Sequence, residues 1–138
     1  MRESQGKTIF LKDYSPPSFL IDETHLIFQL FEEHTLVRSR LLIRRNPLSE
    51  SGDTNLILDG QQLLLIEILL DSVLLDVSAY TLCEDLLIID QVPDQFVLEI
   101  VTEIKPHENT SLEGLYKSKK MFCTQCEAEG FRKITYYL

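Results

Sequence analysis

Basic residues are scarce in this 138-residue chain: 13 Lys and Arg stand against 22 Asp and Glu, for a net charge of −9. A surface with that excess of negative charge repels nucleic-acid phosphates and anionic lipid headgroups, so neither a nucleic acid nor a membrane surface is expected as a partner. Two local groups of positive charge exist, Arg38, Arg40, Arg44 and Arg45, and Lys117, Lys119 and Lys120. Neither is interleaved with aromatic residues, and both read as solvated strand faces and turns. Long apolar runs are missing too. The N-terminal MRESQGKTIF has no apolar core of signal-peptide length, and the stretch Leu63 to Leu75 is broken by Glu67, Asp71 and Ser72, which argues against a membrane span. Cysteine is sparse and odd in number, three in all, so a reducing, cytoplasmic setting is expected rather than a disulfide framework. In that setting Asn109-Thr110-Ser111 is a turn and not a glycosylation site.

Catalytic motifs are absent as well. Zinc peptidases that use H-E-x-x-H need two histidines on one helical face with a glutamate base between them. The nearest approach, His107-Glu108-Asn109-Thr110-Ser111, puts serine where the second ligand belongs. His25 and His34 have no second candidate ligand nearby in sequence and read as ordinary strand or turn residues. The five glycines are scattered singly, with no G-x-S-x-G and no phosphate-binding loop. Cys123-Thr124-Gln125-Cys126 has the spacing of half a zinc knuckle or a redox pair, but Cys83 stands alone upstream. Structural zinc takes four ligands, so these thiols are expected to be mostly buried and to pack a turn.

What the chain does have is alternation with a period of two. Val37, Ser39, Leu41 and Ile43 share one face of a strand, and Leu36, Arg38, Arg40, Leu42 and Arg44 share a wetter one. Leu26 to Phe31 alternates just before it, with Glu32-Glu33-His34 as the reversal, which predicts a β-hairpin. Further strands are expected at Asn55 to Leu58, Gln61 to Leu70, Leu86 to Ile89 and Phe96 to Val101. Between them lie Asn46-Pro47, Asp59-Gly60 and Val92-Pro93-Asp94, with Asp59-Gly60 suited to positive φ in a tight turn. Periodicity leaves a buried helix open for Gln61 to Val77. The fold class is mainly β, a β-sandwich or saddle-shaped sheet, with a short helix suggested by Ala128 to Tyr137 near the C-terminus. The final Tyr136-Tyr137-Leu138 is apolar with no closing turn, which suggests a domain cut from a longer chain.

The string FCTQCEAEGFRKITYYL, Phe122 to Leu138, preceded by NTSLEGLYKS, Asn109 to Ser118, resembles the bacterial aminopeptidase N family of gluzincin zinc aminopeptidases. Lys12-Asp13-Tyr14, Pro16-Pro17 and the stretch Thr24 to Phe31 resemble the opening of that family more loosely. The resemblance implies that residues 1–138 are the N-terminal β-domain of such an enzyme, truncated before its end and without the catalytic zinc domain. It implies an activity that removes amino acids one at a time from peptide N-termini. It also assigns Glu127 to the carboxylate that anchors the substrate α-ammonium, and Gln125 to the lining of the pocket for the first side chain. In an extended backbone Gln125 and Glu127 point to the same side, which favours Glu127 over Glu129; an earlier start of the helix would pair Gln125 with Glu129.

The family's zinc motif, its Gly-Ala-Met-Glu-Asn-type segment and its transition-state tyrosine have no counterpart here. The chain alone is therefore expected to carry no catalytic residues, bind no metal and hydrolyse nothing, zinc belonging to the full-length enzyme. Its expected partners are a peptide N-terminus and the missing catalytic domain. Apolar surface meant for that domain gives a motive for a homodimer of the fragment. The alternative is a free-standing β-sandwich interaction module without catalysis.

Overall fold

Period-two alternation becomes strand wherever it was noted, as the computed structural model, which describes residue 8 and residues 10–138, shows. The MRESQGKTIF segment lies largely outside the described residues. The first hairpin joins β1 (Phe19–Leu30) to β2 (Thr35–Arg45), with Leu30 opposite Thr35. β1 begins well before the Leu26 start of the alternation. A register shift between Ile21 and Glu23 interrupts the ladder, and there Asp22 accepts two hydrogen bonds from Arg44 Nε at 3.0 and 2.9 Å. In β2 the face Thr35, Val37, Ser39, Leu41, Ile43 is fully buried, while Arg38 and Arg40 are exposed. Solvent on one side and core on the other is what the alternation encoded.

The chain continues through β3 (Leu56–Asp59), β4 (Leu64–Leu70), β5 (Val73–Leu74), β6 (Tyr80–Leu82), β7 (Leu86–Ile89), β8 (Gln95–Ile104), β9 (Gly114–Ser118) and β10 (Met121–Gln125). Within the leucine-rich Gln61 to Val77 region, Leu64–Leu70 and Val73–Leu74 are strand, and no α-helix forms. The region folds back on itself at Asp71 and Ser72, both at positive φ (47° and 67°), as a two-residue hairpin turn requires. One antiparallel sheet runs in the order β1-β2-β8-β4-β5, a second in the order β3-β7-β6, and β9-β10 form a separate hairpin. Among the described residues no helix is long and apolar enough to cross a membrane.

The two sheets enclose the main core, in which Leu41, Ile43, Leu98 and Ile100 of the large sheet meet Leu56, Leu58, Leu87 and Ile89 of the small one. A sandwich results, since each sheet is apolar on one face and must bury it. Val101 points to the outer face yet is 6% exposed. By register it lies between Arg38 and Glu67, whose ion pair at 3.4 Å spans it. A smaller core of Val37, Ile104, Leu115 and Ile134 holds the β9-β10 hairpin and the C-terminal segment against the far end of the large sheet. Past the sandwich, Ile27, Phe28, Leu30 and Phe31 remain exposed at the end of β1.

One expectation is corrected and a second is narrowed. Gly60 does not take positive φ; the residue at φ 57° is Gln62. Gly60 is needed because a Cβ there would sit closer than 3.0 Å to Cδ1 and Cε1 of the buried Tyr136 ring. The helix suggested by Ala128 to Tyr137 is a single 3-10 turn, Gly130–Lys133. Beyond it Ile134 and Tyr136 enter the core, and Tyr137 pairs with Asp59 in an isolated bridge (N···O 2.7 and 3.0 Å). β-Branched and aromatic residues at this end pack better than they prolong a helix.

Candidate functional site

The segment that carries Gln125 and Glu127 is built by the β9-β10 hairpin and the 3-10 turn after it. Asn109 prepares the hairpin. Its Oδ1 accepts from Ser111 N (3.1 Å) and Ser111 Oγ (2.8 Å), and its Nδ2 donates to the carbonyls of Glu113 (2.7 Å) and Leu115 (3.0 Å). Asn109-Thr110-Ser111 is thus the expected turn, with its asparagine spent on main-chain groups. β9 then pairs antiparallel with β10, placing Gly114 opposite Gln125 and Cys123 opposite Tyr116.

β10 ends at Gln125, and Glu127 lies in the tight turn that follows. The turn closes where Gly130 N–H donates to Cys126 O at 3.0 Å. Gln125 Oε1 accepts from Glu127 N–H at 3.3 Å, and the Glu127–Ala128 peptide is cis. Residues 124–129 are all exposed. The 3-10 turn begins only at Gly130, so the arrangement that would put Gln125 and Glu129 on one helical face does not form.

Three glutamates surround this turn, and two are occupied. Lys133 Nζ lies 2.8 Å from Glu113 Oε2 and 3.2 Å from Ser111 Oγ. The Lys133 hydrogen bond and charge hold the Glu113 carboxyl below the usual range. Arg132 pairs through Nη2 with Glu129 Oε2 and donates from Nε to Glu129 O at 3.1 Å. Among the described residues, no ion pair or side-chain hydrogen bond involves the Glu127 carboxylate. The engagement of Glu113 and Glu129 was not read from the sequence, although Glu129 and Arg132 stand three residues apart, a spacing that brings side chains together on a helical turn.

Two open clefts flank the turn. One, of about 260 Å³, is lined by Gln61, Glu113, Ala128, Glu129 and Arg132. The other, of about 330 Å³, is lined by Asp59, Ala128, Glu129, Phe131, Arg132, Tyr137 and Leu138. Neither is lined by Gln125 or Glu127, which stand on the exposed crest between strand and turn.

The cysteines depart from expectation. Cys123 is half-buried on β10, and Cys126 and Cys83 are exposed; all three are free thiols. They do not pack a turn, because the smaller core is filled by Val37, Ile104, Leu115 and Ile134. His107 sits in the 3-10 turn Pro106–Glu108 beside Glu108, and His25 lies on exposed β1 near Glu23. Among the described residues no group of three or more His, Cys, Asp or Glu side chains is placed to hold a metal ion.

No protein-family model matches the chain. Aminopeptidase N of Caulobacter vibrioides is 42% identical over 139 aligned residues, covering 99% of this chain and 16% of that protein. Among solved structures, Legionella pneumophila aminopeptidase A in complex with aspartic acid matches with a TM-score of 0.85 and 29% identity, over 92% of this chain and 15% of its own. The M1 zinc metallopeptidase of Deinococcus radiodurans, as an E323A mutant bound to a Tyr-Ser-Ala substrate, shares the fold alone, with a TM-score of 0.67 and 10% identity over 87% of this chain and 29% of its own. The chain thus spans about one sixth of the curated relative's length. Over nearly its whole length the chain is thus similar in sequence to part of bacterial aminopeptidase N and in fold to part of a solved aminopeptidase A.

Proposed function

We propose that residues 1–138 form the N-terminal β-domain of a zinc-dependent aminopeptidase and supply the specificity half of its active site. In this reading Glu127 holds the substrate's α-ammonium and Gln125 lines the pocket for the first side chain. The peptide-bond chemistry comes from the rest of the polypeptide. The observation that carries the assignment is the free, exposed carboxylate of Glu127 beside Glu113 and Glu129, each already engaged with a cation.

An α-ammonium leaving water loses three donated hydrogen bonds and the solvation of a charge, and it enters a site only where acceptors of opposite charge replace them. A carboxylate that already holds a guanidinium must break that pair to serve, whereas Glu127 need not. Held at a fixed place, the ammonium sets how far the first peptide bond lies from the reacting groups, so a single residue is removed per cleavage. Gln125 is well placed to assist, since its amide reaches the Glu127 main chain and stands on the same exposed crest.

The test uses the full-length protein encoded by the gene that carries these residues. A hydrogen bond to a charged group contributes about 1.5–3 kcal/mol, which corresponds to roughly 10- to 150-fold in kcat/KM. Glu127→Ala should lower kcat/KM for a free-amine aminoacyl anilide by that factor, with KM rising. Glu127→Gln, which keeps shape and removes charge, should recover only part of the loss. Unchanged kinetics in both variants would remove Glu127 from the site, and a full-length product that hydrolyses no aminoacyl anilide would favour the interaction-module reading.

A further inference from the structure

The turn that presents Glu127 is clamped at both legs. We propose that Gly130 and Arg132 are positioning residues that fix where Gln125 and Glu127 point; the inference rests on the reading of Glu127 as the amine anchor.

The near leg is set by Gly130. A Cβ at this position would lie closer than 3.0 Å to the main-chain oxygen of Gln125 and 3.1 Å from Gly114 N. Both obstacles are backbone, which cannot swing aside as a side-chain tip can. Gly114 meets the same contact from the other side: it holds φ 76°, and a Cβ there would come within 2.8 Å of Lys133 Cβ and 3.2 Å of Gly130 O. The start of β9, the end of β10 and the start of the 3-10 turn are therefore pressed together through two residues without side chains. The Gly130 N–H to Cys126 O bond, 3.0 Å long, closes the turn across this contact. Any side chain at position 130 moves the Gln125 carbonyl, two residues before Glu127.

The far leg is set by Arg132, which holds both the carbonyl and the carboxylate of Glu129. Its own carbonyl accepts from Gln61 N–H at 2.8 Å, so the arginine is fastened to the sandwich by a main-chain bond that survives substitution of the side chain. Glu127 and Ala128 are left as the two residues between the clamps. Neither Gly130 nor Arg132 is proposed to touch substrate.

Misplacing a binding group by about 1 Å can cost on the order of 100-fold in rate. Gly130→Ala should accordingly lower kcat/KM for a free-amine aminoacyl anilide by roughly 10- to 100-fold in the full-length enzyme. Arg132→Gln, a change at a largely shielded but peripheral side chain, should cost on the order of 10-fold, with Arg132→Lys failing to restore it because lysine lacks the forked donors. The decisive readout is coupling to Glu127. In a Glu127→Ala background both substitutions should cost clearly less than in the parent, and with Gln125→Ala added less than about threefold, since both groups they position are then gone. A merely structural role would give the same cost in every background. Gly52→Ala, where an added Cβ meets nothing within 4 Å, is the control and should leave kinetics unchanged. If Gly130→Ala does not fold, the Arg132 cycle decides alone. Costs that multiply with that of Glu127→Ala, or no cost at all, overturn the positioning roles. A silent Glu127→Ala overturns the site assignment instead.

Discussion

Replacing Gly60 with alanine tests whether the C-terminal segment is locked to the sandwich by the close approach of the Tyr136 ring. The new methyl would fall closer than 3.0 Å to Cδ1 and Cε1 of Tyr136 and 3.0 Å from Leu63 Cδ1. Tyr136 is 5% exposed and packs among core residues, so the ring has little room to yield. Nor can the backbone retreat freely: Asp59, Gly60 and Gln61 donate to the carbonyls of Tyr137, Asp85 and Arg132 at 2.7, 3.0 and 2.8 Å. Overpacking of this kind costs about 1–3 kcal/mol. Opposing it, Gly→Ala stiffens the unfolded chain and contributes roughly 0.4–1 kcal/mol in favour of folding where the backbone geometry allows it. The clash wins, and the net expectation is a loss of about 1–2 kcal/mol. For a chain of this size that lowers Tm by roughly 3–10 °C.

The assay is urea unfolding with calorimetry on Gly60→Ala, Tyr136→Leu and the double variant. Tyr136→Leu alone should destabilise, because it removes buried ring surface. The double variant should be less impaired than the sum of the two, by about 1 kcal/mol, since the smaller leucine leaves room for the alanine methyl. Strict additivity, or a Gly60→Ala protein as stable as the parent, would refute the ring-on-glycine contact as the reason for glycine here.

Thr35 Oγ1 is buried and has no hydrogen-bond partner among the described residues, so Thr35→Val, nearly isosteric, should raise stability by about 1 kcal/mol in urea unfolding; a loss would show that the hydroxyl is satisfied. The Lys133 contact holds the Glu113 carboxyl below its ordinary value of 4.5. A depressed carboxyl stabilises the fold above the unfolded value and loses that contribution as pH falls through the folded one. Glu113→Gln should therefore unfold more readily at neutral pH and match the parent once the pH falls below the depressed folded-state value, giving a flatter acid limb in midpoint against pH. Parallel curves for the two proteins would count against the Lys133 pairing.

The first hairpin was legible because β2 has core on one face and water on the other, and its period survives any tertiary context. The β9-β10 hairpin was not. Its reversal runs through Lys119 at φ 56°, a residue that carries no turn signal. The Asp71-Ser72 turn was hidden in a leucine-rich run for a similar reason: neither residue is glycine or asparagine, yet both take positive φ. At the site, the resemblance assigned Glu127 and strand spacing only favoured it over Glu129. β10 ends at Gln125 and Glu127 lies in the turn, and the engagement of Glu113 and Glu129 depends on Lys133 and Arg132 folding back over the hairpin. Such contacts are tertiary, and no local pattern encodes them. The glycine pair was invisible for the same reason, since Gly114 and Gly130 meet only when strand and turn are packed.

β1, at the margin of the large sheet, has a consequence for handling the protein. Along its 12 residues one row of amides and carbonyls has no neighbouring strand among the described residues, and Ile27, Phe28 and Leu30 stand exposed beside it. A long, apolar edge of this kind is a template for strand addition by another molecule. The net charge of −9 keeps copies apart in dilute buffer, and that repulsion weakens as the Debye length shrinks to about 3 Å at 1 M salt. Purification steps that concentrate the protein in high salt therefore favour sheet-to-sheet self-assembly, and low ionic strength favours dispersed molecules.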